Sequence, residues 1–447
     1  MKMIKDGRMK RWLPLFDLLY LLALMLFVLA GVANVPFHGD EAMQIYMSRD
    51  FETAFVDGDF ATLTQGPPYF IDDDNQLRIL NGTIHRYLVG FARNLIGIGR
   101  DQLMPRPGWD WGLDYDFNVE TGHMPSGSLL LAGRYTSALL LALSVPVIFG
   151  IGWHIGGRPT AYLAAGLFAL HPVILLNGRR AVQEGAMLFF GLLSVLIGAI
   201  LAARRARNLT TWFLWPALAV SCALALASKH SALPFVVGAL GWVFISEGVH
   251  FKPRRMLLAT AALILTALVT AAGFIALSPA LWSDPAGRIG DLLHIRQELI
   301  DSQVITFSDG PMPVQDRFLG VFTNPFMRPP QFFEAPAWAN YEPITREIQA
   351  YTGSLLAGYP SGGVFGLALT AAMLVGMVGL YVPRWRPRRD WAPTLGLSAW
   401  TAATAGTLLL SPLDWQRYAL PLLPCAALFA AAGFTIIGRR IMLRSKR

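Results

Sequence analysis

The chain has 447 residues, 54% of them hydrophobic and 15% charged, with a formal charge of +8 and a mean hydropathy of +0.44. Uncharged runs of about 18 or more residues recur, which excludes an ordinary soluble domain and reads as an integral membrane protein. The basic residues sit in short clusters between those runs, the distribution of cytoplasmic loops rather than of a nucleic-acid-binding surface. Cys222 and Cys425 lie inside apolar runs and build neither a disulfide framework nor a metal pattern.

In chain order, Lys2, Lys5, Arg8, Lys10 and Arg11 precede the apolar run 13–33. A cleaved signal peptide shares the basic start but has an apolar stretch of roughly 7–15 residues. This run is nearer span length and reads as a retained first helix with a cytoplasmic N-terminus. Further runs follow at 127–152, 160–176, 185–203, 211–228, 231–247, 256–280, 361–382, 393–411 and 418–437. The expectation is an all-α bundle of about ten transmembrane helices, with 160–176 short enough to be tilted or re-entrant.

Ten spans return the C-terminus to the cytoplasmic side, and charge tests that parity. One face collects the five N-terminal bases, then Arg158, then Arg204, Arg205 and Arg207, then Lys252, Arg254 and Arg255. Arg384, Arg386, Arg388 and Arg389 follow, and the tail adds Arg439, Arg440, Arg444, Lys446 and Arg447. That is 21 of the 37 Lys and Arg residues, against four acids of 29 (Asp6, Asp17, Glu247 and Asp390). The bias has the sign of the positive-inside rule at every loop.

Two long polar segments face the opposite side. The first, 34–126, carries Asp72-Asp73-Asp74 and, at Ile84–Ile98, a weakly apolar stretch that reads as an interfacial helix despite His85, Arg86 and Arg93. The second, 281–360, is rich in Pro and aromatic residues. The chain thus divides into 1–281 (with the exterior loop 34–126), an exterior loop 282–360 with interfacial helices, and 361–447. No transporter-like internal repeat is visible.

This topology brings a set of ionisable residues to one membrane face: Asp40-Glu41 after the first span, Arg179, Arg180 and Glu184 after the third, Lys229-His230 between the fifth and sixth, and Asp414 with Arg417 between the ninth and tenth. Ionisable groups at membrane depth are costly and tend to face a cavity with a partner. Taken singly each has a plainer reading. Lys229 can snorkel to the headgroups, Arg179-Arg180 can anchor lipid, Asp414–Arg417 can be an ion pair, and Asp72–Asp74 can be a solvated turn. His85 and His123 suit packing or interfacial roles. Together they match the needs of glycosyl transfer from a lipid phosphate. A carboxylate must take a proton from an acceptor hydroxyl, and cations must stabilise a departing phosphate held at the surface by its lipid.

The pattern resembles the phospholipid-carrier-dependent glycosyltransferases of the GT-C superfamily, above all the protein O-mannosyltransferase group, glycosyltransferase family 39. Asp40-Glu41 resembles the acidic pair of that family's first exterior loop. The stretch Asn177-Gly178-Arg179-Arg180-Ala181-Val182-Gln183-Glu184 resembles its Arg-x4-Asp segment, with Glu184 in the Asp position. Ala227-Ser228-Lys229-His230 resembles its small-residue-then-Lys turn. Asp414-Trp415-Gln416-Arg417-Tyr418-Ala419-Leu420-Pro421 resembles its Arg-Tyr-x-x-Pro motif, and Gly122-His123-Met124-Pro125 is similar to bacterial members.

The resemblance implies an inverting transfer from a polyprenyl-phosphate sugar donor on the exterior face, in a bacterial plasma membrane. Asp40 would be the base, and Glu41 would orient it or a divalent metal ion, which the sequence does not require. Lys229, His230, Arg417 and one of Arg179 and Arg180 would hold the donor phosphate, supported by Glu184 and Asp414. The acceptor is a lipid, glycan or protein; segment 281–360 is too short for the β-trefoil domain of eukaryotic members, so a protein is not implied. A lipid A aminoarabinose transferase-like enzyme fits the same residues. A polytopic transporter or lipid flippase, and a non-catalytic assembly subunit, are the readings from other classes. No nucleic-acid partner is expected.

Overall fold

The computed structural model describes residues 2–71, 73–204, 212–249, 253–308, 310–388 and 390–445. Asp72 of the acidic run and Arg205, Arg207, Lys252, Arg389, Lys446 and Arg447 of the basic loops lie outside the described residues. Among the described residues all regular structure is helical and no strand occurs.

Six helical segments are long and apolar enough to cross a bilayer: Trp12–Asn34, Gly127–Gly156, Glu184–Ala203, His230–Val249, Pro253–Ala276 and Gln416–Leu443. Arg158–Ala169 and Pro172–Arg179 make a seventh if taken as one span bent by 57°. The bend falls where Pro172 lacks an N–H and His171 caps the second segment by accepting from Val173 N at 3.3 Å. The expected ten is therefore not reached by length and composition. Leu214–Ser228 has 15 residues and Gly363–Gly379 has 17, which at about 1.5 Å per residue fall short of a hydrocarbon core of roughly 30 Å. Ala392–Leu410 is diluted by Thr394, Thr401, Thr404 and Thr407.

The helices differ in how much of themselves they hide. Only 22% of the first apolar helix and 17% of Pro253–Ala276 are buried within the protein, against 89% of Gln416–Leu443. The first two therefore offer their side chains to lipid, and the last is the bundle's inner helix. Gly127–Gly156 packs against the first helix, Arg158–Ala169 and Glu184–Arg204.

Association in lipid rests on close packing more than on burial from water, so small residues mark the contacts. Trp242 sits on Gly396 while Trp400 sits on Gly238, which locks Leu233–Val249 to Ala392–Leu410 in a reciprocal fit. Gly376 and Gly433 bring the backbones of Gly363–Gly379 and Leu423–Arg444 together, and a Cβ on either would overlap the other helix's carbonyls at Phe429 or Ala372.

The segment 34–126 folds into short helices over the end of the bundle. In Thr83–Leu95 the polar residues point inward: His85, Arg86 and Arg93 are buried, whereas Phe91, Leu95 and Ile96 are exposed. The outer face is thus the apolar one, as an interfacial helix requires. Arg93 reaches Ser48 Oγ at 2.8 Å and also bonds Glu52. Arg78 holds Asp50 through two nitrogens, with Nη2 at 2.8 Å.

Substituting Gly376→Leu should force the two helices apart and cost about 1–3 kcal/mol. A thermal melt in detergent followed by size-exclusion chromatography should show the loss, and an unchanged melting point would contradict the contact.

Candidate active site

The site starts at the end of the first apolar helix, where His38 N-caps the helix Gly39–Met47. Its Nδ1 accepts from Asp40 N at 3.1 Å, and Glu41 Oε1 accepts from His38 N at 3.1 Å, completing a reciprocal capping box. His38 Nε2 lies 2.9 Å from Glu334 Oε2. The box places Asp40 and Glu41 in successive positions that point to different surroundings.

Glu41 points inward and is fully buried. Arg134 of Gly127–Gly156 grips it through Nε and Nη2, both at 2.8 Å, and Ala181 N donates to it at 2.8 Å. Burial alone would raise its pKa, but the Arg134 guanidinium and these hydrogen bonds outweigh burial and hold it below the ordinary carboxylate value. Glu41 was expected to act beside Asp40 or to hold a metal. Its oxygens are instead spent on docking the helix Gly39–Met47 to the bundle.

Asp40 points the other way, into a cluster drawn from both halves of the chain, and its side chain keeps 16% of its surface. Arg417 Nη1 donates to Asp40 Oδ2, and Arg417 Nε lies 2.9 Å from Glu334 Oε1. Burial works to raise the Asp40 pKa, yet Arg417 and His38 prevail and hold it below its ordinary value. Glu334, in the segment 281–360, is held low in the same way, with burial opposed by Arg417 and then His38.

A second acid–base pair stands next to the first. Lys229 Nζ donates to Glu184 Oε1; the lysine is 23% exposed and the glutamate 2%. Glu184 lies within electrostatic range of Arg417 and Asp40 as well. His230 packs its ring edge-on to Phe274, 5.9 Å between centroids, and has Arg296 and Lys229 as charged neighbours.

Of the remaining expected residues, Arg180 borders the site over the ring of Phe333, with Glu41 and Glu334 as charged neighbours, and the others lie elsewhere. Arg179 gives Nε to Val28 O at 2.8 Å and Nη2 to Phe27 O at 2.7 Å, and its Nη1 bonds Leu356 O. Arg180 bonds Pro36 O at 3.2 Å and Phe332 O at 2.9 Å. All three nitrogens of Arg179 are thus spent on closing helix ends and loops, whereas Arg180 keeps Nη1 without a hydrogen bond among the described residues. Asp414 does not pair with Arg417: it bonds Arg328, with Nη2 at 2.9 Å. Asp73 caps Asp74–Leu80 by accepting from Gln76 N at 2.6 Å, and Asp74 accepts from Tyr46 OH at 2.7 Å. This part of the acidic run is helix-end architecture. His123 is buried against Gly108 O at 3.3 Å. Among the described residues no group of three or more His, Cys, Asp and Glu side chains is arranged to hold a metal ion.

Three residues at the site escaped the sequence. His38 was legible as a cap three residues before a Glu. Glu334, 296 positions from His38, carried no local signal. Neither did Arg296, whose Nη2 donates to Leu80 O at 2.5 Å and whose charge lies near Arg417 and Tyr418.

The chain is an integral membrane protein whose fold is similar to that of two solved structures. It aligns over 96% of its length with the Archaeoglobus fulgidus oligosaccharyltransferase in the apo form, at 14% identity and a TM-score of 0.54, covering 51% of that chain. ArnT from Cupriavidus metallidurans, bound to undecaprenyl phosphate, aligns over 96% of this chain and 63% of its own, at 13% identity and a TM-score of 0.53. The chain thus spans about half to three-fifths of the length of these two structures. Residues 106–283 match the family described as dolichyl-phosphate-mannose-protein mannosyltransferase. That segment includes Arg134, Glu184, Lys229 and His230 but neither Asp40 nor Arg417. Comparison with curated protein sequences gives no match.

Replacing Arg134→Met should strand the Glu41 charge in the interior and cost about 3–5 kcal/mol. The pH dependence follows from sign. The folded-state pKa of Glu41 lies below its ordinary 4.5, so the unfolded chain takes up the proton more readily. The clamp therefore stabilises fully above about pH 4.5 and fades as acid lowers the pH through the folded-state value. Thermal stability of the wild type and Glu41→Gln should accordingly converge below pH 4.5; a constant gap would contradict the assignment.

Proposed function

We propose that the chain moves a sugar from a polyprenyl-phosphate carrier to an acceptor hydroxyl on the exterior face of its membrane, with inversion and with Asp40 as the general base. The observation that carries this reading is the meeting of two carboxylate–cation pairs, Asp40–Arg417 and Glu184–Lys229, drawn from four separated segments. The GT-C fold and the family match over residues 106–283 support it.

The chemistry divides between the pairs. The acceptor oxygen attacks the anomeric carbon, the bond from that carbon to the phosphate oxygen breaks, and the hydroxyl proton passes to Asp40. Asp40 Oδ2 is engaged by Arg417, while Oδ1 makes no hydrogen bond among the described residues and faces the acceptor. The departing phosphate takes the electron pair, and cations with unspent donors must meet it. Lys229 retains two of its three N–H groups and Arg417 retains Nη2. Arg296 has no carboxylate partner among the described residues and spends only Nη2, on Leu80 O. We therefore assign the phosphate to Lys229, Arg417 and Arg296, with His230 beside them, and assign Arg179 to architecture.

Glu334 and His38 position the base and its partner from the second exterior loop and the helix cap. A divalent ion is not part of this scheme, because Asp40 and Glu334 already share Arg417. The acceptor is a lipid, glycan or protein hydroxyl.

Substituting Asp40→Asn should lower turnover by about 10²-fold or more while polyprenyl-phosphate binding is retained. Lys229→Ala should instead weaken that binding about tenfold or more, and Arg179→Lys should affect stability rather than donor affinity. Transfer assays and lipid-binding titrations on purified protein separate the three. Undiminished turnover by Asp40→Asn would remove Asp40 from the base role. Glycolipid and glycan profiles of membranes with and without the protein should reveal the acceptor.

A further inference from the structure

A cluster of side-chain amides with no role in the scheme above is tied to the elements that carry Asp40, Lys229 and Arg296. Gln44 sits one helical turn beyond Asp40 on Gly39–Met47 and is 3% exposed. Its Nε2 donates to Asn81 Oδ1 at 3.0 Å. Gln183, immediately before Glu184 and 5% exposed, donates from Nε2 to Gln44 Oε1 at 3.2 Å and to Asn81 Oδ1 at 3.2 Å. Asn81 is the hub, and it is half-buried where the two glutamines are buried.

Three contacts fix this hub relative to the reacting groups. Gln44 ties it to the helix of Asp40. Gly82, its neighbour, abuts the Ser228 carbonyl just before Lys229, so closely that a Cβ would overlap it. Leu80, its other neighbour, accepts from Arg296. Asn81 thus stands where the arms carrying the base, Lys229 and Arg296 converge. In a transfer from phosphate to an acceptor hydroxyl, the migrating sugar must lie between base and phosphate.

The hydrogen-bond inventory leaves capacity unspent. Asn81 accepts twice at Oδ1 and donates one N–H to Leu77 O at 3.0 Å, so one N–H remains. Gln44 keeps one N–H and one lone pair, and Gln183 Oε1 receives no hydrogen bond among the described residues. A second observation points the same way. His85, four residues after Asn81, is fully buried; its ring lies against the Ala181 backbone, and neither ring nitrogen makes a well-aligned hydrogen bond among the described residues. Its charged neighbours are Glu184 and Lys229, and burial pushes its pKa down to about 4, so a neutral ring offers one donor and one acceptor. Buried polar groups rarely stay unpaired without a reason. Mixed donors and acceptors on uncharged side chains are suited to vicinal hydroxyls, each of which both gives and receives a hydrogen bond.

We propose that Gln44, Asn81 and Gln183, backed by His85, form the subsite that holds the hydroxyl groups of the donor's sugar. This rests on the glycosyltransferase reading. The subsite sets which sugar is transferred, while Lys229, Arg296 and Arg417 hold the carrier phosphate irrespective of the sugar.

The test compares binding of undecaprenyl phosphate with that of its mannosyl, glucosyl and aminoarabinosyl forms, on wild type and on Asn81→Ala and Gln183→Ala. The expected result is a loss of about tenfold or more in affinity for the preferred sugar-bearing lipid, with undecaprenyl phosphate bound as by wild type. An unchanged preference in both variants overturns the subsite, as does an equal loss for all four lipids. Wild-type protein that binds none of the four overturns the glycosyltransferase reading itself, which separates that failure from failure of the subsite.

Discussion

The architecture of the site depends on one buried ion pair. Glu41 is fully buried, so its charge is tolerable only because Arg134 supplies two parallel hydrogen bonds and Ala181 a third. The pair joins the helix Gly39–Met47 to Gly127–Gly156 and to the turn before Glu184. The capping box then sets the direction of the neighbouring side chain. With Glu41 turned inward and bonded back to His38 N, Asp40 must face the opening. The acidic pair thus divides its labour, one member for anchorage and one for chemistry.

The second constraint brings in the far end of the chain. Arg417 precedes the inner helix Leu423–Arg444, and Glu334 belongs to a loop that no membrane span orients. By bridging Asp40 and Glu334, Arg417 ties the segments 34–126 and 281–360 and the C-terminal helices to one point. Gln416 strengthens the junction through paired hydrogen bonds with Gln331, at 2.7 and 2.8 Å. A loop that is closed over the site by a charged group of the site is sensitive to that group's other partners.

Much of this was legible in the sequence wherever the signal was local. The membrane class followed from uncharged runs, and the gathering of Asp40, Glu184, Lys229 and Arg417 followed from alternation of spans once the first helix was oriented. The helix count was less legible, because Leu214–Ser228 and Gly363–Gly379 are shorter than a bilayer core and the turn at Pro172 breaks a continuous apolar run. Arg179 misled for a physical reason. An arginine in an exterior turn near acids has the same sequence signature whether it meets a phosphate or caps a helix, and only the approach of the Phe27 and Val28 carbonyls separates the two. Asp414 misled similarly, since its neighbour in sequence is Arg417 but its partner in space is Arg328. Long-range pairings such as His38–Glu334 leave no periodicity to read.

The charge balance of the cluster bears on how a carboxylate so well paired can act as a base. An Asp held by a guanidinium is ionised but weakly basic, because removing its charge also strands the cation. Arg417 is shared between two carboxylates, and an arriving phosphate competes for it with charge-assisted hydrogen bonds of the same kind. Whatever share of Arg417 the phosphate takes is lost to Asp40, whose basicity rises accordingly, while Glu334 keeps the guanidinium from leaving altogether. In the reading proposed above, the donor thereby conditions the base. Proton uptake becomes favourable chiefly when a phosphate is in place, and an acceptor that enters first meets a carboxylate still neutralised by its partner. The pair Glu184–Lys229 has no such second acid holding its cation, so Lys229 is the freer of the two to follow the phosphate as its negative charge grows.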